Sequence, residues 1–465
     1  MILDRVFTPG LAQVAYLVAD TLAREAAVID PRRDVAAYLD WAQAHDVRIV
    51  AILETHVHAD FVSGARELSA ATDAPIYAGR LGKQRFSHRP FDDGDEVRVG
   101  SVTLRALATP GHTPEHLAYL LVDPEQGQGP IALFSGDALF VGDVGRPDLL
   151  GDTETRRLAE HLYCTVIDRL ACLDDAVVVH PGHTAGSSCG KKIGDAPITT
   201  IGHEKASNYA FQTRSKDEFV RKVLDGMPLP PTYYPVLKRV NQIGPVLVAE
   251  LPDGGALTAE QVAAYQGDGA LVIDARTPGA FGAGHVPDAV FAGLGPSFTT
   301  WMGWLAPYDR DLILVLDDEG SYEEARNELR RIGLDRVVGF LAGGMAAWRA
   351  TGRDVQTISQ ISVQDLARRI GGSGDGLEVL DVRSDDEWEG GHIPQAVHLF
   401  AGEILQGADA PIGGAAEVAV ICGSGYRSSV TASVLQTRGV RDLVNVVGGM
   451  GAWDEAALPT TREIV

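Results

Sequence analysis

Cysteine is scarce in this sequence. The 465 residues include four cysteines, at positions 164, 172, 189 and 422. Four thiols spread over such a length are too few for the disulfide framework that small secreted domains depend on. We therefore expect a reducing compartment and a cytoplasmic location, in which a reactive thiol would persist.

The chain also lacks an excess of positive charge and lacks long apolar runs. It carries 40 Lys and Arg residues against 63 Asp and Glu residues, for a formal net charge of −23. Without clustered positive charge we expect no nucleic-acid partner and no binding to an anionic membrane surface, and a small anion would need a local positive pocket. No apolar run reaches about 18 residues, so no membrane span is expected. The first five residues lack the layout of a signal peptide.

Histidine and aspartate, by contrast, cluster at the ends of apolar runs. A buried strand predicted over residues 48–53 leads into the first cluster, and a helical apolar period begins near Phe61. Three further clusters follow apolar runs, at residues 109–116, 134–137 and 180–183. Rigid strand ends can hold metal ligands in place. Together the four clusters supply the candidate ligands His56, His58, Asp60, His112, Asp137 and His183.

Four strand-end loops that each offer His or Asp resemble the ligand layout of the metallo-β-lactamase fold, over roughly the first half of the chain. The resemblance implies an αββα sandwich. Two-metal hydrolases of this fold, such as glyoxalase II, carry a further His where this sequence has Phe61. A phenyl ring cannot bind a cation, and it places apolar bulk where a second cation would need ligands. One metal is therefore the better prediction.

In the persulfide dioxygenase branch of this fold, a single iron is held by the counterparts of His56, His112 and Asp137. The resemblance therefore implies one Fe(II) per chain on these three residues. Two imidazoles and one carboxylate leave open positions, the facial arrangement that non-haem Fe(II) uses in O₂ chemistry. The other candidates, His58, Asp60 and His183, would then orient ligands or substrate.

Residues 227–235 are rich in proline and end the first domain. Proline cannot occupy the interior of a regular element, so this stretch predicts an extended linker after a terminal helix. We expect Tyr233 and Tyr234 to be packing residues.

An internal repeat follows the linker. Its copies share an Asp-x-Arg pair, a Gly-His-[Ile/Val]-Pro segment and a Gly-Gly-Met-x-x-Trp segment. The corresponding positions are Asp274 and Asp381, Arg276 and Arg383, His285 and His392, and Trp348 and Trp453. The pattern resembles the rhodanese sulfurtransferase domain, which implies two α/β domains with parallel sheets. We interpret the Asp–Arg pairs and the two histidines as structural.

Cys422 marks the candidate active site of the second copy. It follows the apolar run 419–421 and precedes a helical period, so it lies at a helix N-terminus, where the dipole and loop N–H groups favour the thiolate. The predicted persulfide loop is Gly423, Ser424, Gly425 and Tyr426. Arg427 adds a fixed charge and forked donors for sulfite or thiosulfate. In the first copy Asp317 takes the cysteine position, which predicts an inactive, spacer-like domain.

A single-iron dioxygenase, an inactive rhodanese and an active rhodanese in one chain resemble the bacterial fused persulfide dioxygenase–sulfurtransferases. The predicted domains are 1–243, 244–355 and 356–465. The family implies that the iron site oxidises low-molecular-weight persulfides with O₂ to sulfite and a free thiol. It also implies that Cys422 transfers sulfane sulfur to form thiosulfate, in sulfide detoxification. Analogy within the fold suggests a homo-oligomer, a dimer or a tetramer.

Candidate substrate contacts are Arg146, Cys189 and Lys191. Arg146 either pairs with a carboxylate of the thiol carrier or forms a structural ion pair with Asp148. Lys191 either attracts an anionic carrier such as coenzyme A or is a solvated loop cation, and Cys189 is a possible second relay thiol. Ala185 stands where glutathione-using members carry Tyr, which disfavours glutathione.

Two other functions fit parts of the sequence. One is a dinuclear zinc thioester hydrolase of the glyoxalase II type, which would use metal-bound hydroxide and which Phe61 opposes. The other is a non-catalytic sulfur carrier that uses only Cys422. Metal content and O₂ uptake separate the first alternative from the dioxygenase, and loss of activity on removal of His112 separates the second.

Overall fold

The computed structural model describes residues 1–127, 129–371, 376–413 and 417–463, so parts of the predicted 356–465 domain lie outside the described residues. The chain divides into two compact units. The first comprises Met1–Leu251 with Arg330–Gly333, and the second comprises Pro252–Leu329 with Leu334–Val465. Within the described ranges, no helix combines the length and the apolar character needed to cross a membrane.

Two six-stranded mixed sheets form the centre of the first unit. Their orders are β1-β2-β3-β4-β5-β6 and β12-β11-β10-β9-β8-β7. The strands are β1 (Ile2–Thr8), β2 (Gln13–Asp20), β3 (Glu25–Ile29), β4 (Arg48–Leu53), β5 (Ile76–Gly79), β6 (Arg89–Phe91), β7 (Glu96–Val99), β8 (Val102–Ala108), β9 (Leu117–Val122), β10 (Pro130–Gly136), β11 (Val178–Pro181) and β12 (Thr199–Thr200). The helices are α1 (Ala36–Ala44), α2 (Ala65–Thr72), α3 (Asp152–Cys164), α4 (Ile201–Ser207), α5 (Lys216–Leu224) and α6 (Tyr234–Ile243).

Strand β2 shows why the sheets are stacked between helices. All eight of its residues are buried, so both of its faces are covered. Tyr16 and Val18 join the core between the sheets, which includes Phe134 of the second sheet. Ala15 and Leu17 point to the opposite face and join the core formed with α1 and α2. This alternation follows from the two-residue period of a strand, and it confirms the predicted αββα sandwich.

Two predicted elements differ in detail. The helix expected from about Phe61 begins at Ala65, because residues 61–64 make loop contacts: Gly64 N–H donates to the Pro31 carbonyl, for example. The predicted extended linker is helical in its second part, where α6 begins at Tyr234 with Pro235 in its first turn. Proline is tolerated there because a first-turn N–H has no partner within the helix.

Two five-stranded parallel sheets form the second unit, in the orders β13-β17-β16-β14-β15 and β18-β22-β21-β19-β20. The strands are β13 (Gly255–Leu257), β14 (Leu271–Asp274), β15 (Val290–Phe291), β16 (Leu312–Val315), β17 (Val337–Leu341), β18 (Ser359–Ile361), β19 (Leu377–Asp381), β20 (Val397–His398), β21 (Glu417–Ile421) and β22 (Leu443–Val446). The helices are α7 (Ala259–Gly267), α8 (Pro278–Gly282), α9 (Phe298–Leu305), α10 (Tyr322–Arg331), α11 (Gly344–Ala350), α12 (Val363–Ile370), α13 (Asp385–Glu389), α14 (Ala401–Leu405), α15 (Tyr426–Thr437) and α16 (Gly449–Glu455). The matching orders confirm the repeat.

The repeated charged pairs are structural, as predicted. Arg383 donates to both carboxylate oxygens of Asp381 and to the Gly391 carbonyl, and Arg276 does the same with Asp274 and the Gly284 carbonyl. All four pair members are nearly buried. In each copy a buried pair with this geometry ties the end of its strand, β14 or β19, to the following loop.

Candidate functional site

The ends of β4, β8 and β10 bring three candidate metal ligands together. One donor atom from each of His56, His112 and Asp137 lies within 4.8 Å of the others, and all three residues are buried. Asp137 Oδ2 is 3.9 Å from His56 Nε2 and 3.5 Å from His112 Nε2. Among the described residues, His56 Nε2 and Asp137 Oδ2 are buried without a hydrogen-bond partner. Unpaired buried polar atoms are costly, so this donor set fits a metal ion.

Hydrogen bonds leave the free lone pair of both histidines on Nε2. The Thr55 hydroxyl donates to Asp30, so it can accept from His56 Nδ1, which is 2.9 Å away. His112 Nδ1 is 2.9 Å from the Arg146 carbonyl, which can only accept. Each ring therefore carries its proton on Nδ1. Such outer hydrogen bonds orient metal-binding imidazoles and set their tautomers.

Asp137 is held so that one carboxylate oxygen remains free. Its backbone N–H donates to His116 Nε2, and its Oδ1 accepts from His183 Nδ1 at 2.8 Å. Gly182 approaches this carboxylate so closely that a Cβ there would lie 2.7 Å from Oδ1. Burial alone would raise the pKa of Asp137, but the neighbouring His183 lowers it. The carboxylate is therefore ionised and presents Oδ2 to the metal position.

The neighbouring His183 has no free nitrogen. Its Nδ1 pairs with Asp137 and its Nε2 is 2.8 Å from Asp60 Oδ2. Burial opposes protonation, but the two flanking carboxylates outweigh it and raise the pKa of His183 well above its usual value. A protonated imidazole with both nitrogens hydrogen-bonded to carboxylates has no free lone pair and cannot bind a cation. The buried Phe61 ring lies 4.4 Å from the ring of His58.

His58 faces away from Asp137. Its Nε2 lies 3.1 Å from Asp30 Oδ1, and the carboxylate of Glu54 is 3.9 Å away. Two further donor groups, Asp30 with Glu54 and His58, and Asp60 with His183 and Cys189, have a spacing that a metal could use. In both groups the histidine is hydrogen-bonded to an aspartate, although His58 Nδ1 and Asp60 Oδ1 have no described partner.

Helix α6 covers the first ligand loop. Asn241 Nδ2 donates to the carbonyls of His58 and Phe61, and its Oδ1 accepts from Ser63 N–H. One end of the same helix places the Tyr234 hydroxyl 3.8 Å from Cys189 Sγ. The segment predicted as a linker is therefore part of the site.

The predicted substrate contacts have protein partners. Arg146 is fully buried, binds Asp148 through two nitrogens, and donates to the carbonyls of Ser188 and Pro228, which favours the structural ion pair. The ammonium group of Lys191 donates to the carbonyls of Lys222 and Asp225 near the end of α5. It is therefore neither a solvated cation nor a free anion-binding group.

Cys189 lies beside Asp60 and His183, close to the metal-ligand group. It is buried, and burial raises the pKa of its thiol, with the charges of Asp60 and Asp137 adding to the effect. A thiol is a poor nucleophile in this state. A relay role for Cys189 remains a prediction.

Cys422 follows β21 directly and precedes α15, as predicted. Its Sγ accepts from Gly425 N–H at 3.1 Å and is 3.4 Å from the Ser428 hydroxyl. Gly425 has a φ of 97°, which a side chain would disfavour, so glycine allows the loop to turn its N–H towards the sulfur. The geometry suits a negatively charged sulfur at a helix N-terminus.

The other predicted loop residues have different surroundings. Gly423 lies against the Arg427 side chain, and Ser424 is exposed. Arg427 is bound by Glu387 through two nitrogens, at 2.5 and 2.7 Å, so its charge is balanced by that carboxylate. Its role as a donor to sulfite or thiosulfate remains a prediction. The Tyr426 hydroxyl donates to the Gly293 carbonyl in the first repeat copy, and its ring packs on Phe291. The Tyr426 side chain therefore anchors the loop to the first repeat copy.

Sequence reasoning missed several residues that shape these sites: Asp30, Thr55, Glu387 and Asn241. The sequence could have indicated Asp30, because it directly follows strand β3 just as the motif residues follow their own strands. Thr55 lies inside the first motif beside His56. Nothing in the sequence indicated the roles of Asn241 and Glu387, because these roles depend on how helices that are distant in sequence pack together.

Comparison with known proteins agrees with this architecture. Residues 8–183 match the metallo-beta-lactamase superfamily, and residues 258–351 and 362–456 match the rhodanese-like domain. Mitochondrial persulfide dioxygenase ETHE1 of Bos taurus is 30% identical over 233 residues, which are 50% of this chain and 83% of that protein. Hydroxyacylglutathione hydrolase of Polaromonas sp. is 36% identical over 39% of this chain and 66% of that protein.

A solved structure is similar over a longer part of the chain. The crystal structure of a metallo-beta-lactamase from Staphylococcus aureus covers 73% of this chain and 98% of its own, with a TM-score of 0.66 and 31% identity. The persulfide dioxygenase relative is matched over most of its own length, and both rhodanese-like domains are present here. The chain is therefore an enzyme of the persulfide dioxygenase family, within the metallo-β-lactamase superfamily, that continues into two rhodanese-like domains.

Proposed function

We propose that the first half of the chain oxidises low-molecular-weight persulfides with O₂ at one non-haem iron bound by His56, His112 and Asp137. One persulfide, one O₂ and one water give one free thiol, one sulfite and two protons. The second rhodanese-like domain then transfers sulfane sulfur through Cys422 and forms thiosulfate.

The observation that carries the proposal is the bonding of His183. Both of its nitrogens are used by Asp137 and Asp60, while His56 Nε2 and Asp137 Oδ2 have no described partner. This arrangement supports one cation on a two-histidine, one-carboxylate set. Such a set is typical of non-haem iron and leaves positions open for substrate and O₂.

Iron bound there would supply the redox chemistry with O₂. The chain's own groups hold the ligands in place: Thr55 orients His56, the Arg146 carbonyl orients His112, and His183 fixes Asp137. Phe61 and Tyr234 are both buried, and we expect their bulk to limit the access of water to the ligand group. Fixed ligands and a dry pocket are what selective oxidation of a reactive sulfur compound requires.

At the second site the thiolate of Cys422 attacks the outer sulfur of a persulfide, whose S–S bond breaks to release the thiol. Sulfite then attacks the sulfur carried by Cys422, the new S–S bond breaks, and thiosulfate leaves with the thiolate restored. The Gly425 N–H and the Ser428 hydroxyl lie where they would stabilise the sulfur anion. Sulfite made in one part of a chain reaches an acceptor in another part at raised effective concentration.

The runner-up for the first half is a dinuclear zinc thioester hydrolase. The hydroxyacylglutathione hydrolase relatives favour it, whereas Phe61 and the bonding of His183 oppose it. A non-catalytic sulfur carrier using only Cys422 is the third candidate. The group formed by His56, His112 and Asp137 opposes it, because a carrier would have no use for these metal ligands. The predicted boundaries 1–243, 244–355 and 356–465, the cytoplasmic location, the role in sulfide detoxification and the homo-oligomeric state belong to the same proposal.

Oxygen consumption by the iron-loaded protein across a panel of persulfides tests the proposal. The panel contains the persulfides of glutathione, coenzyme A and cysteine, together with inorganic polysulfide. We expect O₂ uptake with stoichiometric sulfite, and one iron per chain by elemental analysis. Two zinc ions per chain, with thioester hydrolysis and no O₂ uptake, would establish the hydrolase instead.

A further inference from the structure

Helix α6 presents one side to the metal-ligand group. Tyr234, Leu237 and Asn241 are buried, and they recur at the three- and four-residue spacing of one helical face. Tyr234 meets Cys189, and Asn241 meets the first ligand loop. Lys238 lies between them on this face, four residues after Tyr234 and three before Asn241.

Lys238 differs from its neighbours on that face because it is only partly buried. Its ammonium group makes no hydrogen bond or ion pair within the part of the chain that the structure describes. The nearest opposing charge that acts on it is Glu115, whose Oε1 already accepts from Val57 N–H. Lys238 therefore carries a poorly compensated charge between solvent and the buried ligands.

Partial burial of Lys238 affects how strongly its charge attracts an anion. Burial lowers the pKa of Lys238, and Glu115 opposes that shift. A cation held in a partly desolvated position attracts an anion more strongly than an exposed one does.

The net negative charge of the chain makes such a cation significant. With a net charge of −23 the protein repels small anions at long range, so an anionic substrate needs a local positive group. Arg146 and Lys191 are bound by acceptors of the protein itself and are not available. Lys238 lies on the face of α6 that also carries Tyr234 and Asn241, and within the described residues it has no ion-pair partner.

We propose that Lys238 binds the negative charge of the persulfide substrate and is the residue that selects anionic substrates. This inference rests on the proposed persulfide oxidation. The bound charge is either the ionised outer sulfur or an acid group of the thiol carrier. Lys238 is a positioning residue, because the reacting atoms would be held by the metal-ligand group.

The test compares three variants. Lys238→Met keeps the length of the side chain and removes its charge, and Lys238→Arg keeps the charge. Arg239→Met is the matched control, since it removes the same charge from the exposed side of the same helix. Anaerobic calorimetry measures the binding of glutathione, coenzyme A and inorganic sulfide to iron-loaded protein, and steady-state kinetics measure KM for the corresponding persulfides.

We expect Lys238→Met to weaken binding and raise KM by about ten-fold or more, as loss of a charged hydrogen-bond donor does. Iron content and kcat should change little, Lys238→Arg should recover most of the affinity, and Arg239→Met should match the unmodified protein. Weakening for sulfide as well as the thiols assigns the contact to sulfur, and weakening for the acidic thiols alone assigns it to the carrier. Unchanged binding in Lys238→Met, or equal loss in Arg239→Met, overturns the inference.

Failure of the proposed function gives a different result. If the unmodified protein consumes no O₂ with any persulfide, the oxidation is wrong, yet the anaerobic comparison of the variants still reports whether Lys238 binds an anion.

Discussion

Two adjacent groups of buried side chains in the first unit both contain histidine and aspartate, but the bonding of their histidines differs. In the first, His56 and Asp137 keep donor atoms without described partners. In the second, both nitrogens of His183 are used by Asp137 and Asp60, although Asp60 keeps Oδ1 without a described partner. Residue type alone therefore does not identify a metal site. The deciding feature is which lone pairs remain after the protein's own hydrogen bonds are counted.

The two rhodanese copies teach the same lesson. They share strand order, the buried Asp–Arg pairs and a stacked ring on each histidine, Phe281 on His285 and Trp388 on His392. The difference lies in one loop. Cys422 sits under the Gly425 N–H, whereas the carboxylate of Asp317 accepts from Thr277 N–H. One fold supports a nucleophile in one copy and a structural contact in the other.

Removing a ligand from the first group should have the largest effect. His112→Ala leaves two ligands, so we expect the iron to be lost and O₂ uptake to fall below detection. Elemental analysis and an oxygen electrode measure both. His203→Ala, at an exposed position, is the control. Normal O₂ uptake in His112→Ala would contradict the assignment of His112 as a ligand of the reacting metal.

Cys422→Ser distinguishes sulfur transfer in the second rhodanese-like domain from oxidation in the first half of the chain. We expect thiosulfate formation to be abolished, because a serine hydroxyl cannot carry sulfane sulfur, while O₂ uptake is unchanged. Thiosulfate is quantified by chromatography, and Cys172→Ser controls for loss of an exposed thiol. Thiosulfate at the normal rate in Cys422→Ser would refute the assignment of this loop.

Thr55→Val tests the support of the first group without changing a ligand. It removes the hydroxyl that accepts from His56 Nδ1 and donates to Asp30. Loss of such a contact weakens metal affinity by about 10–100-fold. Competition with a chelator measures the affinity, with Thr153→Val at an exposed site as the reference. Equal affinities for the two variants would show that this hydroxyl does not orient the ligand.

Phe61→His should have the smallest effect on metal content. It restores a ligand type to the second group, yet His183 remains bonded to both carboxylates, so we expect one metal per chain. Elemental analysis after loading with iron or zinc gives the number. A second metal in this variant would mean that the phenyl ring alone closes the second position.

Much of the site could be predicted because its residues follow strands. His56, His112, Asp137 and Cys422 each come after an apolar run, and the sheets bring those strand ends together. The start of α2 was misplaced because contacts of residues 61–64, including those of Asn241, hold them as a loop. The pairing of Arg427 with Glu387 and the position of Lys238 could not be predicted, since both depend on the packing of separate helices.

Anomalous diffraction from crystals of the iron-loaded protein tests the single-metal interpretation most directly. We expect one iron peak per chain, within bonding distance of His56 Nε2, His112 Nε2 and an oxygen of Asp137, with His183 still bonded to Asp60. Two peaks bridged by Asp137, with His58 or His183 bound to one of the ions, would contradict it.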